Sequence, residues 1–168
     1  MTLRSGWKLG AVALVAAGAL GLWIAQRERT PPLTRDALEK ARSAWKSRAP
    51  GDYDITIQKD VDARPSEVIR TEVRGGKPRR LVLNGHELEA RDSYSVPGLL
   101  DTCAEELNMS ASKDPLPGQP ANAVLLARFE EQLGVPLVIK RIASNRQSYI
   151  LRVLKVEIPG GQVFWKDP

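Results

Sequence analysis

The feature that most constrains this chain is an uncharged run near its amino terminus, residues 9–25. Basic residues flank the run on both sides: Arg4, Lys8, Arg27 and Arg29. As a helix it would extend about 26 Å, slightly less than a hydrocarbon core of about 30 Å. Trp7 and Trp23 stand near its two ends, where interfacial aromatic residues are found. We therefore expect residues 9–25 to form a transmembrane anchor in a lipid bilayer.

This anchor predicts the domain organisation of the whole chain. A short basic tail at 1–8 precedes the span at 9–25, which is followed by a linker at 26–33 and a single domain at 34–168. Small residues recur on one side of the span, at Ala13, Ala17 and Gly21. This stripe would either seat a partner helix or simply reflect an anchor rich in alanine and glycine.

A cleaved signal peptide is the main alternative to the anchor, because it shares the basic start and the apolar run. Residues 17–19 match the small-residue pattern of a cleavage site, but a cut there would leave an apolar tail on the mature chain. A cut after Ala25 would put the bulky Trp23 where a small residue is preferred. Basic residues are almost balanced across the span, so the positive-inside rule predicts no orientation.

Composition excludes several classes of function. The chain has 25 basic against 20 acidic residues. Without Arg4 and Lys8 the balance is 23 against 20, a net charge of +3, which does not indicate a nucleic-acid partner. Cys103 is the only cysteine, which excludes an internal disulfide, a cysteine-rich zinc site and a lipid attached just after the apolar run.

The pattern after the linker predicts a first helix. Thr34 suits an N-cap, and Pro50 marks the end. The apolar residues of this segment share one helical face: Ala37, Leu38, Ala41, Ala44 and Trp45. Trp45 is expected in the core, with an exposed binding tryptophan as the alternative.

The period then changes to two, which predicts antiparallel strands. Tyr53, Ile55 and Ile57 alternate with polar residues, and the runs 68–74 and 78–83 flank Gly75-Gly76 as a hairpin. Asn84-Gly85 predicts a further turn into a strand at 86–90. Later apolar runs at 136–143 and 149–158 predict two more strands around a polar turn at 144–147.

A second helix is expected from Val96, followed by a proline-rich loop over 110–120. Leu100, Cys103 and Leu107 share its apolar face, whereas Asp101, Glu105 and Glu106 are expected to be more exposed. Residues 123–129 suit either a strand or a short helix. The predicted fold class is α+β: an N-terminal transmembrane helix, then an amphipathic helix and an inserted helix packed on one mainly antiparallel sheet.

Several of these signals occur together in a known pattern. Trp45 lies at the end of the first helix, and a strand opens at residues 50–53. Val73 and Gly76 lie in a hairpin, and a helix is inserted at 96–107. The last strands follow the segment 129–136. In these features the chain resembles a family of small bacterial envelope proteins, a domain of unknown function anchored by a lipid or a helix. The resemblance covers about 33–158, implies a strand at 123–129 and a domain facing outward, and brings no activity and no functional residues.

No group of residues forms a recognisable catalytic or cofactor motif. His86, the only histidine, follows a tight turn and is expected at the surface, without a nucleophile at a recognisable spacing. Two S-x-x-K strings, starting at Ser43 and Ser110, lack the other elements that penicillin-binding enzymes need. Cys103 among leucines predicts a buried, inert thiol rather than a reactive one. We expect no enzyme activity, no cofactor, no metal and no bound small molecule.

The basic cluster around the predicted hairpin turn is the one charged surface feature: Arg74, Lys77, Arg79 and Arg80. It would either touch anionic lipid head groups or remain a solvated turn. The sequence as a whole predicts a bacterial inner-membrane protein with one span and a domain outside the cytoplasm. That domain would be a non-catalytic binding or structural module for another envelope protein. The alternatives are a small hydrolase or ligand-pocket protein with a motif-free site, and a cytoplasm-facing membrane assembly subunit.

Overall fold

A computed structural model describes residues 30–62, 64–111, 123–143, 148–159 and 163–166 of the chain. Its helices are α1 (Arg35–Arg48) and α2 (Val96–Ala111), with a 3-10 turn at Asp92–Tyr94 before α2. The strands are β1 (Tyr53–Val61), β2 (Glu67–Arg74), β3 (Lys77–Leu83), β4 (His86–Leu88), β5 (Val124–Phe129), β6 (Pro136–Ile142), β7 (Tyr149–Glu157) and β8 (Val163–Lys166). Residues 123–129, which fitted either a strand or a helix, therefore contain a strand.

All strands join one antiparallel sheet in the order β4-β3-β2-β1-β7-β6-β5. Strand β8 pairs with the last residues of β7, beyond the part of β7 that pairs with β6. The outer edge of β5 is covered by an extended segment before α1, since the Leu33 amide donates to the Leu125 carbonyl at 2.9 Å. Two antiparallel meanders, β1–β4 and β5–β7, thus meet at the β1–β7 pair.

Local signals set the turns as predicted. Gly75 and Gly76 both have positive φ, +58° and +73°, as a two-residue hairpin turn of the primed type requires. Asn84 and Gly85 adopt the same kind of turn at +49° and +86°. Strand β4 is only three residues long, so the expected strand at 86–90 is shorter than predicted.

Helix α1 begins with its predicted cap and carries a core aromatic residue in its last turn. The Thr34 hydroxyl oxygen accepts a hydrogen bond from the Ala37 amide at 3.2 Å. Trp45 is buried and meets Tyr53 edge to face, with ring centroids 5.3 Å apart. The Tyr53 hydroxyl in turn accepts from the Val96 amide at 3.1 Å, so one aromatic pair connects α1, β1 and the start of α2.

Both helices cover the same face of the sheet. Inward side chains of β1, β2 and β7 are fully buried against them, including Ile55, Ile57, Val73 and Val156. The helices run antiparallel. Arg35 at the start of α1 donates to Asn108 near the end of α2 at 3.0 Å, whereas Arg42, later in α1, contacts Asp101 in the first half of α2 at 2.7 Å. The opposite face of the sheet, which carries no described helix, is called the open face below.

The structure does not support the transmembrane helix of the predicted fold. In the described part of the chain no helix is long and apolar enough to cross a membrane. Helices α1 and α2 would extend only about 21 and 24 Å, and each has a charged exposed side. The predicted span at 9–25, its stripe Ala13, Ala17 and Gly21, and the tail at 1–8 lie outside the described residues.

Two further expectations around α2 were wrong. The helix continues through Ser110, which was assigned to the following loop, while the rest of that loop lies outside the described residues, as does the turn at 144–147. Glu106 was expected to be exposed but is only 7% accessible. Glu106 lies on the side of α2 that packs on the sheet, next to β6 and β7.

Candidate functional site

A ladder of ion pairs crosses five strands of the open face. Its members alternate in sign in the order Glu87, Arg80, Glu72, Arg74, Asp54, Arg70, Glu157 and Lys155. The shortest contacts at its centre are Arg74–Asp54 at 2.7 Å and Arg80–Glu72 at 3.2 Å. Four cations meet four carboxylates, so this ion-pair ladder is neutral as a unit.

Strand register explains why the ladder needs its cations. Glu157 and Glu72 both lie directly opposite Asp54, one on each side. Like charges at such positions destabilise a sheet. Arg70 reaches both Asp54 and Glu157, at 3.5 and 3.8 Å, and so separates these carboxylates electrostatically. The ladder therefore stabilises the sheet and leaves little net charge for a ligand.

The predicted basic cluster is divided by this arrangement. Arg74 and Arg80 belong to the ion-pair ladder, and their hydrogen bonds to Asp54 and Glu87, respectively, raise the pKa of each guanidinium. Lys77 and Arg79 are exposed, and Arg79 lies at a bulge in the pairing of β2 with β3. Their contact with anionic lipid remains a prediction.

The other half of the open face is aliphatic. Val124 lies opposite Ile142, Leu126 opposite Lys140, and Lys140 opposite Ile150, so five side chains from β5, β6 and β7 are neighbours. Val124 is 55% and Ile142 51% accessible, whereas Leu125, Ala127 and Ile139, which belong to the opposite face of the same strands, point inward and are buried. We call Val124, Leu126, Lys140, Ile142 and Ile150 the aliphatic patch.

Cations border the aliphatic patch on one side. Arg128 and Arg152 both lie opposite Val138, on the same face as Lys140. Arg152 donates to Asp60 at 2.6 Å. Hydrogen bonds from Ser66 and Gln58, with the Arg152 charge, lower the pKa of that carboxyl.

A buried polar cluster lies between α2 and the inner face of β6 and β7. The Tyr149 hydroxyl donates to Glu106 Oε1 at 3.0 Å, and Arg141 Nε lies 3.3 Å from Glu106 Oε2. The Arg141 N–H is not aligned for a hydrogen bond, so this second contact is one of charge. Cys103, one helical turn before Glu106, completes the cluster and is fully buried as predicted.

The protonation of this cluster argues against nucleophilic chemistry. Burial raises the pKa of the Cys103 thiol to about 12, which leaves it protonated at neutral pH. Burial and the adjacent Glu106 carboxylate raise the pKa of Tyr149 as well. An activated nucleophile needs the opposite shift. The contacts that the structure shows are packing for Cys103 and a hydrogen bond to Glu106 for Tyr149.

The remaining sequence candidates stay apart from one another. His86 is exposed on β4, and Ser110 uses its hydroxyl to donate to the Leu107 carbonyl within α2. Among the residues that the structure describes, no three His, Cys, Asp or Glu side chains form a group that could hold a metal ion.

Sequence reasoning missed both the aliphatic patch and the buried cluster. The alternation in VLLARF at 124–129 was a usable signal for the patch, because Val124 and Leu126 have to face away from Leu125 and Ala127 in a strand. The Glu106 cluster had no such signal, since its members come from three separate elements.

Comparisons with protein-family models, with curated proteins and with solved structures found no match to this chain. The resemblance to an envelope family accordingly stays a prediction.

Proposed function

We propose that this domain is a non-catalytic protein-binding module that engages its partner through the open face of the sheet. The observation that carries the proposal is the cross-strand pair Val124–Ile142, more than half exposed on a face without a described helix. Exposed aliphatic side chains grouped on one surface are typical of protein interaction sites.

The face is a better binding surface than either edge of the sheet. The edge of β5 already pairs with the segment before α1, where the Ala127 amide donates to the Pro31 carbonyl at 3.0 Å. At the other edge, β4 has only three residues, and His86 and Glu87 are exposed. Short, charged edge strands discourage the addition of a further strand.

An enzyme with a motif-free site is the competing class, and the buried cluster is its strongest support. That support is weak, because Cys103 is fully buried and its pKa is raised to about 12. Tyr149 is already committed to Glu106 through its hydroxyl. A structural role accounts for these contacts without a substrate.

Site-specific photocrosslinking in cells that produce the full chain would test the proposal. A benzophenone amino acid replaces Ile142 on the aliphatic patch or, in the matched control, Lys46 on the exposed side of α1. We expect one discrete crosslinked protein from position 142 that is absent from position 46. A Val124→Glu substitution should remove that product, because it places a charge at the centre of the contact.

Two outcomes would overturn the proposal. Identical crosslink patterns from positions 142 and 46 would show that the open face has no preferred partner. Turnover by the purified chain in a broad hydrolase screen, lost in Tyr149→Phe while the fold is retained, would instead favour the enzyme.

A further inference from the structure

We infer that prolines at the two ends of the strand order keep this sheet from joining, edge to edge, with a second copy of the chain. These prolines are Pro32, beside β5, and Pro78, on β3. The inference concerns the edges of the sheet and is independent of the proposed function, which concerns the open face.

The edge segment, residues 31–33, lies outside β5 and pairs with it. Pro32 lies opposite Leu126 in an antiparallel bridge. The preceding residue, Pro31, uses its carbonyl to accept from the Ala127 amide at 3.0 Å. The backbone groups of successive residues in an extended strand point to opposite sides. Because those of Pro31 face β5, the backbone of Pro32 faces away from the sheet.

Pro32 therefore removes the donor that a further strand would need at this edge. Proline has no backbone N–H, and within sheets it is confined to edge strands and bulges for that reason. Pro31 also lacks an N–H, but its missing donor is directed at the Ala127 carbonyl, inside the sheet. The two neighbouring prolines thus differ in effect: Pro31 leaves out one hydrogen bond to β5, whereas Pro32 blocks growth beyond the edge segment.

The other end of the strand order carries a proline in the same orientation. Strand β4 pairs only with residues 81–83 of β3, so residues 77–80 lie beyond it. In a two-residue hairpin turn the flanking residues bond to each other, and here these are Arg74 and Lys77. Since the backbone of Lys77 thus faces β2, that of Pro78 faces outward.

The apolar surface beside Pro32 would make an open edge hazardous. Leu126, opposite Pro32, belongs to the aliphatic patch, and its neighbours Val124 and Ile142 are 55% and 51% accessible. A sheet edge with free backbone donors and apolar side chains is a template for pairing with another chain. The two ends of the strand order differ, so pairing between them would be head to tail and would continue from copy to copy. The prolines let the patch stay exposed without such assembly.

Amide exchange followed by NMR and sedimentation equilibrium, both with the full chain, would test the inference. Each proline is replaced by threonine, which restores the N–H and suits a strand. The variants are Pro31→Thr, Pro32→Thr, Pro78→Thr and the double variant Pro32→Thr with Pro78→Thr. Pro97→Thr is the matched control, because Pro97 is exposed in the first turn of α2 rather than in the sheet.

The new amide in each single variant reports its own direction. In dilute protein the new amide of Pro31→Thr should exchange about a hundredfold more slowly than in an unstructured peptide, because it meets the Ala127 carbonyl. The new amides of Pro32→Thr and Pro78→Thr should exchange at the unprotected rate, since they face solvent. The double variant should have a larger mean mass than the parent at equal concentration, and its new amides should gain protection as the concentration rises. Pro97→Thr should keep the mass of the parent.

A double variant with the mass of the parent at every concentration would overturn the inference, as would equal association of Pro97→Thr. So would a protected new amide at position 32 or 78 in dilute protein, or an unprotected one at position 31, because either result puts the missing donor on the wrong side. Thermal unfolding compares each variant with the parent. If the double variant does not fold, the mass of Pro32→Thr at high concentration decides: growth supports the inference, and the mass of the parent overturns it. Crosslinking from position 142 does not depend on these outcomes, so this inference and the proposed function fail separately.

Discussion

The hydroxyl of Tyr149 lies 3.0 Å from a carboxylate oxygen of Glu106, although the two residues are 43 positions apart and belong to a strand and a helix. Arg141 from the adjacent strand lies 3.3 Å from the other oxygen of the same carboxylate. A buried charge is tolerated only when it is paired, so these three side chains depend on one another.

Removing the carboxylate should be costly. We predict that Glu106→Ala lowers the free energy of unfolding by about 3 kcal/mol, because it leaves the Arg141 guanidinium, whose Nε is buried, without its charge partner. Tyr149→Phe removes only one hydrogen bond to a charged group and should cost about 1.5 kcal/mol. Urea unfolding at pH 7 measures both. A smaller loss for Glu106→Ala than for Tyr149→Phe would contradict this order.

High pH should unfold the domain. Burial raises the pKa of Tyr53 from 10.0 to about 12, so the contribution of Tyr53 to stability is fully present below pH 10 and is lost as the pH rises toward 12. Between pH 10 and 12 a tyrosine with such a raised pKa lowers the free energy of unfolding by about 1.4 kcal/mol per pH unit. The raised pKa values of Cys103 and Tyr149 act in the same direction.

Urea titrations at several pH values between 8 and 11 would test this prediction. The slope of unfolding free energy against pH should be negative above pH 10 in the parent chain and shallower in Tyr53→Phe. Stability that is independent of pH across this range would contradict the burial of these groups.

The centre of the ion-pair ladder should matter more than its end. Asp54 contacts both Arg70 and Arg74 and is 15% accessible, whereas the Glu87 side chain is 63% accessible. We predict that Asp54→Asn lowers the free energy of unfolding by about 1 kcal/mol. Glu87→Gln should cause no measurable change. Thermal unfolding in low and high salt measures both variants, and a larger effect at the exposed end would show that the ladder is not cooperative.

Close packing against α1 requires glycine at position 134. A Cβ there would lie 2.1 Å from the Ala41 carbonyl oxygen, and Gly134 has a φ of +73°. We predict that Gly134→Ala destabilises the fold by at least about 2 kcal/mol. Gly76 has the same φ but nothing within 4 Å, so Gly76→Ala isolates the backbone strain, at about 1 kcal/mol. Equal losses in the two variants, measured by urea unfolding, would show that α1 moves away at no cost.

Features set by neighbouring residues were predictable from the sequence. The Thr34 cap, the hairpin turn at Gly75-Gly76, the Asn84-Gly85 turn and the alternation in β1 all depend on interactions within a few residues. Periodicity could not decide between a strand and a helix for residues 123–129, because a short apolar run fits both periods. The expected transmembrane helix is not found, since no helix among the described residues is long and apolar enough to cross a membrane.

By itself the sequence determined where most helices and strands begin and end, because caps, turns and periodicity act locally. Only the tertiary structure decided that Glu106 faces Arg141 and Tyr149, that Asp54 stands between two other carboxylates, and that Val124 meets Ile142 on an open face. The contacts of Glu106 also require α2 to pack on β6 and β7, and the other two relationships are produced by strand order and register. Those depend on how the two meanders join at β1 and β7, which no local pattern encodes.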